Sequence, residues 1–243
     1  MRKSTELSTQ QQDYLECEKL WIFSLLMAVG GFLGAFTYIL RGGVFCNAQT
    51  GNLVLLGIAL GERNWVRALY LILPISAYFL GALVSEALAG PIRKRYSIRW
   101  DTVFITIEMV AIVILGLLPE HAPYQITQVT VNFICSMQYN TFRQAQGISM
   151  ATTFCTNHLR QFAIAITKYR KHRDPNQRIR LLSHLLMLAI FIAGGAISTI
   201  LCHRFLGKAI FFALIPLAVV LVDFLYADLK KEKARLDQIP GGH

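Results

Sequence analysis

Six stretches of this chain are apolar for so long that water cannot be the solvent around all of them. They fall at about 20–40, 66–89, 102–118, 126–140, 181–203 and 206–227. A helix needs roughly 20 apolar residues to cross a hydrocarbon layer about 30 Å thick. Within such a layer every backbone N–H and C=O must be paired inside the structure, which leaves helices or closed barrels. The runs are continuous rather than alternating, so helices are expected. With 54% hydrophobic residues, 16% charged residues and a mean hydropathy of +0.46, the chain is more apolar than one soluble core requires. The expected fold is an all-α integral membrane protein of about six transmembrane helices.

Two further stretches are apolar at their ends and broken at their centres. The first is Val44-Phe45-Cys46-Asn47-Ala48-Gln49-Thr50-Gly51-Asn52-Leu53. The second is Met150-Ala151-Thr152-Thr153-Phe154-Cys155-Thr156-Asn157-His158-Leu159. Setting Thr50 against Thr156 also puts Phe36 opposite Phe142. After a longer loop in the second half, Arg67 meets Arg180, Gly81 meets Gly194 and Ser85 meets Ser198. Two related halves are expected, 20–118 and 124–227, between a tail at 1–19 and a basic tail at 228–243.

Charge sets the orientation. The formal net charge of +10 is concentrated in connections: Arg93, Lys94, Arg95 and Arg99; Lys168, Arg170, Lys171, Arg173, Arg178 and Arg180; and Lys230, Lys231, Lys233 and Arg235. The positive-inside rule places all three in the cytoplasm and explains the basic balance better than nucleic acid does. The connection 119–123 has no Lys or Arg and belongs outside. An even number of crossings must then separate the first two basic loops, so 150–166 dips in from the cytoplasm and returns. The same parity makes 44–60 a dip from the outer face, giving two inverted-topology repeats with both termini cytoplasmic. The alternative is that each broken segment is a short kinked span, for eight crossings. No cleavable signal is evident in 1–19, and a polar tail, partly disordered, is expected before the first helix.

Past each break a short helix can start near the bilayer centre, over 52–60 and 159–167, with Thr50 and Thr156 as N-caps. Helix starts favour anionic or electron-rich groups. The candidate binding residues are Asn47, Gln49, Thr50, Gly51, Asn52, Gln138, Thr156, Asn157 and His158. Against this stands the plainer reading that such side chains only satisfy broken backbone. Glu108, in the body of the third run, is the candidate for ion or proton coupling, because a carboxylate there is costly. Asn132 and Asn140 extend the polar side of the fourth helix. Arg41 and Arg143 read as interface anchors, Glu86 and Asp223 as partners of basic loops, and Gly30, Gly34, Gly81 and Gly194 as packing positions. The cysteines lack Cys-x-x-Cys spacing, so neither a disulfide framework nor a metal site is expected.

The run Gly31-Phe32-Leu33-Gly34-Ala35-Phe36-Thr37-Tyr38 through Gly43-Val44-Phe45 to Thr50-Gly51-Asn52, followed by Met137-Gln138-Tyr139-Asn140-Thr141-Phe142-Arg143 and Cys155-Thr156, resembles the YoaK-type family of small bacterial multi-pass membrane proteins of unknown function (domain-of-unknown-function family 1275). The resemblance covers roughly 20–226 and implies a bacterial cell membrane location. That family commonly has an Asp where this chain has Gly34, and a second Thr-Gly-Asn where it reads Thr156-Asn157-His158.

Three function classes fit. The first is a small-solute transporter or channel for a polar neutral or anionic compound, without a cofactor. The second is a membrane-embedded enzyme using His158 and Glu108 as acid and base. The third is a scaffold or sensor that binds through its basic surface. No catalytic nucleophile, His-Glu-x-x-His, phosphate-loop or dinucleotide motif is present, which argues against an enzyme and against ATP-driven transport. Membrane lipid and a small polar molecule are the expected partners, nucleic acid is not, and a homo-oligomer is left open.

Overall fold

The computed structural model describes residues 14–95, 98–236 and 238–242, and of 91–95 it describes the backbone. The tail at 1–13 and the side chains of Arg93, Lys94 and Arg95 therefore lie outside the described residues. The helices are α1 (Leu20–Leu40), α2 (Gln49–Gly61), α3 (Trp65–Arg95), α4 (Trp100–Leu117), α5 (Tyr124–Thr141), α6 (Thr156–His172), α7 (Pro175–Phe205) and α8 (Leu214–Tyr226). A two-stranded ribbon, β1 (Gln144–Ala145) and β2 (Ile148–Ser149), interrupts this all-helical plan just before the second break. Its turn, Gln146-Gly147, has φ +48° and +75°, the mirror-image geometry that suits a tight hairpin.

Four helical stretches are long and apolar enough to cross a membrane: Leu20–Leu40, Trp65–Gly90, Trp100–Leu117 and the merged run Pro175–Lys231. The merged run holds two of the expected helices. At Leu206, with φ +50°, α7 stops, and the chain passes through 3-10 turns over Leu206–Ala213 before α8 begins. The run at 126–140 does form a helix, α5, yet Gln128, Asn132, Gln138 and Asn140 keep it below the apolarity of the other four.

Hydrogen bonds and contacts at the two ends fix the helix directions. At one end Arg41, which follows α1, faces Glu120, which follows α4, and Glu120 accepts from the Gly207 N–H at the start of the 3-10 turns. At the other end Arg99, ahead of α4, is bonded to Glu232 beyond α8, and Glu232 accepts from the Glu16 N–H ahead of α1. There, too, the start of α7 (Asn176, Arg180) lines a cleft with Tyr14 and Lys19. Tyr70 and Ser85 of α3 bond Gln128 and Thr141 of α5, respectively. Hence α1, α4 and α7 run one way, and α3, α5 and α8 the other. The main packing pairs are α1 on α7, α3 on α5, α2 on α3, α6 on α7, and α4 on α8.

Helix α1 is the inner helix: 67% of its apolar window is buried, against 33% for α3, which keeps an apolar outer face. Two glycines let α1 and α7 touch backbone to backbone. A Cβ on Gly31 would run into the Phe191 carbonyl, and one on Gly194 into the Ala28 carbonyl. Gly81 does the same for α3 against the Phe133 carbonyl of α5. Small residues at helix contacts gain dispersion by close approach, which matters where lipid removes the hydrophobic drive between helices.

The Arg99 end departs from the charge reading. Arg99, counted among loop cations, is 5% exposed and bonded through Nη1 to Glu232 Oε2 (2.6 Å) and through Nη2 to the Arg235 carbonyl (3.1 Å). Its backbone N–H donates to Asp228 (3.0 Å). The segment before α1 is not a loose tail from Leu15 onward, since Leu15, Glu16, Cys17 and Glu18 are all buried. Burial pushes the Glu16 carboxyl up, but hydrogen bonds from Lys19 and Lys231 outweigh it and hold Glu16 below the usual carboxylate range. Residues ahead of α1 and beyond α8 are thus clamped together. The remaining basic residues at 168–180 are exposed, as the charge reading requires.

Four variants test these contacts in the stability of purified protein in detergent, read by thermal unfolding. Gly31→Ala is expected to cost about 1–3 kcal/mol by forcing α1 off α7. Gly195→Ala, where the nearest atom is 3.6 Å from the added carbon, should be neutral or slightly stabilising. Arg99→Met strands a buried Glu232 and is expected to cost about 3–5 kcal/mol, much of which the double variant Arg99→Met/Glu232→Met should restore.

Candidate functional site

The first break begins where α1 ends. Gly42 and Gly43, at φ +80° and +69°, turn the chain back, and Val44, Cys46 and Asn47 descend along α1 as buried residues. Irregular backbone at this depth must find partners. Asn47 Nδ2 donates to the Gly30 carbonyl of α1 (3.1 Å). Gly34 gives the Asn47 side chain its room, because a Cβ there would lie 2.8 Å from Nδ2. Gly30 and Gly34 are therefore seats for the broken segments rather than helix-packing positions alone.

Helix α2 starts at Gln49, three residues earlier than the sequence suggests. Thr50 is not its N-cap: Ala48 is, with no side-chain cap bond, and Thr50 and Gly51 are exposed in the first turn. Gln49 Nε2 donates to Asn132 Oδ1 on α5, and Asn52 Nδ2 donates to Gln49 Oε1 (3.2 Å) and to the Phe45 carbonyl (3.2 Å). The network continues through α5: Asn132 Nδ2 to the Gln128 carbonyl (2.7 Å), Gln128 Nε2 to the Arg41 carbonyl (2.6 Å), and the Tyr70 hydroxyl to Gln128 Oε1 (2.7 Å). Gln128 and Tyr70 were not singled out in the sequence. The spacing of Gln128 and Asn132, one helical turn apart on an otherwise apolar face, carried that signal.

The second break is built differently. After the ribbon, Ala151, Thr152 and Thr153 are buried, and the Thr152 carbonyl packs on Gly30 of α1. The hydroxyls of Thr152 and Thr153 have no hydrogen-bond partner among the described residues. Helix α6 starts at Thr156, which is exposed and is not the cap: Cys155 holds that position without a side-chain cap bond. Asn157 is half-buried, accepts from Arg160 (3.1 Å), and lines a cleft of about 450 Å³ with Tyr139, Asn140, Arg143 and Ser149. His158 is fully buried. Its Nε2 lies 2.8 Å from the Ala151 carbonyl and its Nδ1 lies 3.0 Å from Nδ1 of His184 on α7. His184 was likewise missed, because a lone histidine in a long apolar run reads as core.

The two breaks share one geometry. Asn52 and His158, aligned in the sequence repeat, each reach back to the carbonyl seven residues earlier, Phe45 and Ala151 respectively. Both segments also meet α1 at Gly30, Asn47 by hydrogen bond and Thr152 by packing. Of the other residues singled out, Gln138 is buried, donates to the Leu26 carbonyl (3.2 Å) and leaves its Oε1 without a partner among the described residues. Glu108 is fully buried on α4, and neither carboxyl oxygen has a hydrogen-bond partner among the described residues. Asn47, Gln49 and Asn52 thus form one network, His158 belongs to a second with His184, Thr50, Gly51 and Thr156 face outward, and Glu108 stands apart. Arg41 is buried against Glu120 and the Phe36 ring, while Arg143 pairs with Glu86 (2.6 Å), so both anchor helix ends.

The buried polar side chains at the two breaks are amides, hydroxyls and imidazoles. Among the described residues no group of three or more His, Cys, Asp or Glu stands together as metal ligands.

Neither a curated protein nor a solved structure matches the chain. Residues 22–222, which take in all of α1 but its first two residues, both broken segments and most of α8, match the family described as "Protein of unknown function (DUF1275)", and the chain belongs to that family.

Proposed function

We propose that this protein is a small-solute transporter or channel of the bacterial cell membrane, passing a polar neutral or anionic compound between two broken segments. The observation that carries the reading is the convergence of both breaks on Gly30, midway along α1, each tied by a side chain to its own carbonyl seven residues back. In this reading α1, α3, α4, α5, α7 and α8 span the bilayer. Helices α2 and α6 are half-helices that start at its centre and leave toward opposite faces. Exchanging the halves turns α1 on α7 into α5 on α3, turns α2 on α3 into α6 on α7, and leaves α4 on α8 unchanged, which supports an inverted repeat. The exposed basic residues at 168–180 favour a cytoplasmic location for the Arg99 end and, in this reading, for both termini.

The helix starts at Gln49 and Thr156, uncapped by side chains, offer N–H groups to electron-rich solute atoms. Asn47, Gln49, Asn52, Gln138, Asn157 and His158 supply hydrogen bonds, and Thr50, Gly51 and Thr156 lie in the first turns of the two half-helices. Glu108 is the proton- or ion-coupling group in this reading, because it is a fully buried carboxyl on α4 with no hydrogen-bond partner among the described residues, where a permanent charge is costly.

Topology is tested by thiol labelling of single cysteines at 63 and 172 in a background lacking the native five, in intact cells and in inverted vesicles. Position 63 is expected to label from outside and 172 from the cytoplasm. Labelling of both from one side removes the inverted arrangement. Function is tested by light scattering of proteoliposomes against glycerol, urea and chloride gradients. For a solute that the wild type passes, Asn52→Ala should slow flux on the order of tenfold, the equivalent of about one buried hydrogen bond. Glu108→Gln should flatten the pH dependence of flux, and an unchanged profile removes Glu108 from the mechanism.

A further inference from the structure

His184 has no place in the sequence reading, yet it makes the closest titratable contact within the second half. His158 is fully buried and His184 is 2% exposed. Their Nδ1 atoms lie 3.0 Å apart, with ring planes at 64°. Two imidazole nitrogens at that distance share one hydrogen, so one ring donates and the other accepts. The remaining nitrogen of His158 meets both backbone groups of one residue: Nε2 is 2.8 Å from the Ala151 carbonyl oxygen and 3.3 Å from the Ala151 nitrogen. The backbone of the broken segment can therefore accept from Nε2–H or donate to bare Nε2, and either tautomer of His158 is satisfied. Only Nε2 of His184 lacks a hydrogen-bond partner among the described residues.

We propose that His158 and His184 form a proton-binding pair that takes up one proton at His184 Nε2 and reports it to the second broken segment through Ala151. In the neutral pair the two ring hydrogens sit on His158 Nε2, bonded to the Ala151 carbonyl, and on His184 Nδ1, bonded to His158 Nδ1. Uptake of a proton from water forms an N–H bond at His184 Nε2 and raises the charge of the pair by one. The hydrogen between the Nδ1 atoms then moves between rings, and when it resides on His158 the positive charge lies against the Ala151 carbonyl. A second proton would place hydrogens on both Nδ1 atoms at once, which the 3.0 Å contact cannot hold, so α6 must part from α7. The first proton is stored, and the second releases the half-helix.

The surroundings leave this pair to titrate against few other charges. Arg180, one turn earlier on α7, is the charged group that acts on it. Helix α1 carries no charged residue over Leu20–Leu40, segment 150–155 carries none, and Arg160 of α6 is turned to Asn157 on the exposed face.

The pair itself does not depend on the transport reading, whereas its part in flux rests on it. The test is nitrogen-15 NMR of histidine-labelled full-length protein in lipid nanodiscs, from about pH 8 to about pH 4, with signals assigned by His158→Asn and His184→Asn. Asn keeps a hydrogen-bonding amide at the Nδ1 position without a titrating ring, which guards the fold. The expected result is that the signals of both rings move together in one step and again in a second step at lower pH. In His184→Asn the His158 midpoint should move by on the order of one pH unit. Two independent midpoints, each unchanged when the other ring is replaced, would overturn the proposal. Coupled titration in a protein that passes none of the tested solutes would keep the pair and remove the transporter; flux with uncoupled rings would do the reverse.

Discussion

The structure depends on satisfying backbone polar groups where the chain breaks inside an apolar bundle. An unpaired N–H or C=O removed from water costs a few kcal/mol, and each break exposes several. The chain meets this demand with short side chains placed against glycine. Asn47 can reach the Gly30 carbonyl only because Gly34 has no Cβ, and the Thr152 carbonyl can rest on Gly30 for the same reason. Helix α1 serves as a rail along which both broken segments lie, and its lack of any charged residue lets it stay inside the bundle.

A second constraint acts at the ends. Arg99, Asp228, Glu232 and Glu16 join the segment before α1, the start of α4 and the segment beyond α8 into one buried ionic cluster. Buried pairs of this kind contribute little net stability but are costly to break, so they fix which ends meet. The clamp gathers α1, α4 and α8 at one end, while Glu120 gathers Arg41 and Gly207 at the other. Between these ties the backbone contacts at Gly31, Gly194 and Gly81 set the helix spacing, and the interior polar groups are held in register with one another.

The two halves solve the same problem with different chemistry. The first break is met by amides, from Asn47 on its own segment to Asn132 and Gln128 on α5, with the Tyr70 hydroxyl at the far end. The second uses His158 where the first has Asn52, and adds His184. The two breaks are thus alike in the bond each makes to the carbonyl seven residues back and unlike in chemistry, with imidazole side chains at the second and amides at the first.

The apolar runs and the two breaks were legible in the sequence, because length and continuity of apolar residues are local properties. The alignment of Asn52 with His158 was legible too, although not what each one binds. Helix starts were misread by a few residues: Thr50 and Thr156 look like caps by type, but Ala48 and Cys155 hold the cap positions without a side-chain cap bond, and both threonines lie in the first turns. Arg99 looked like a loop cation because its partners lie about 130 residues away, beyond the reach of any local pattern. By itself the sequence determined a bundle of helices, several long and apolar enough to cross a membrane, with two interruptions, since long continuous apolar runs specify buried or lipid-facing helices. Only the tertiary structure decided that both interruptions meet at Gly30 and that His158 finds His184, since those contacts depend on how α1, α5, α6 and α7 are brought side by side.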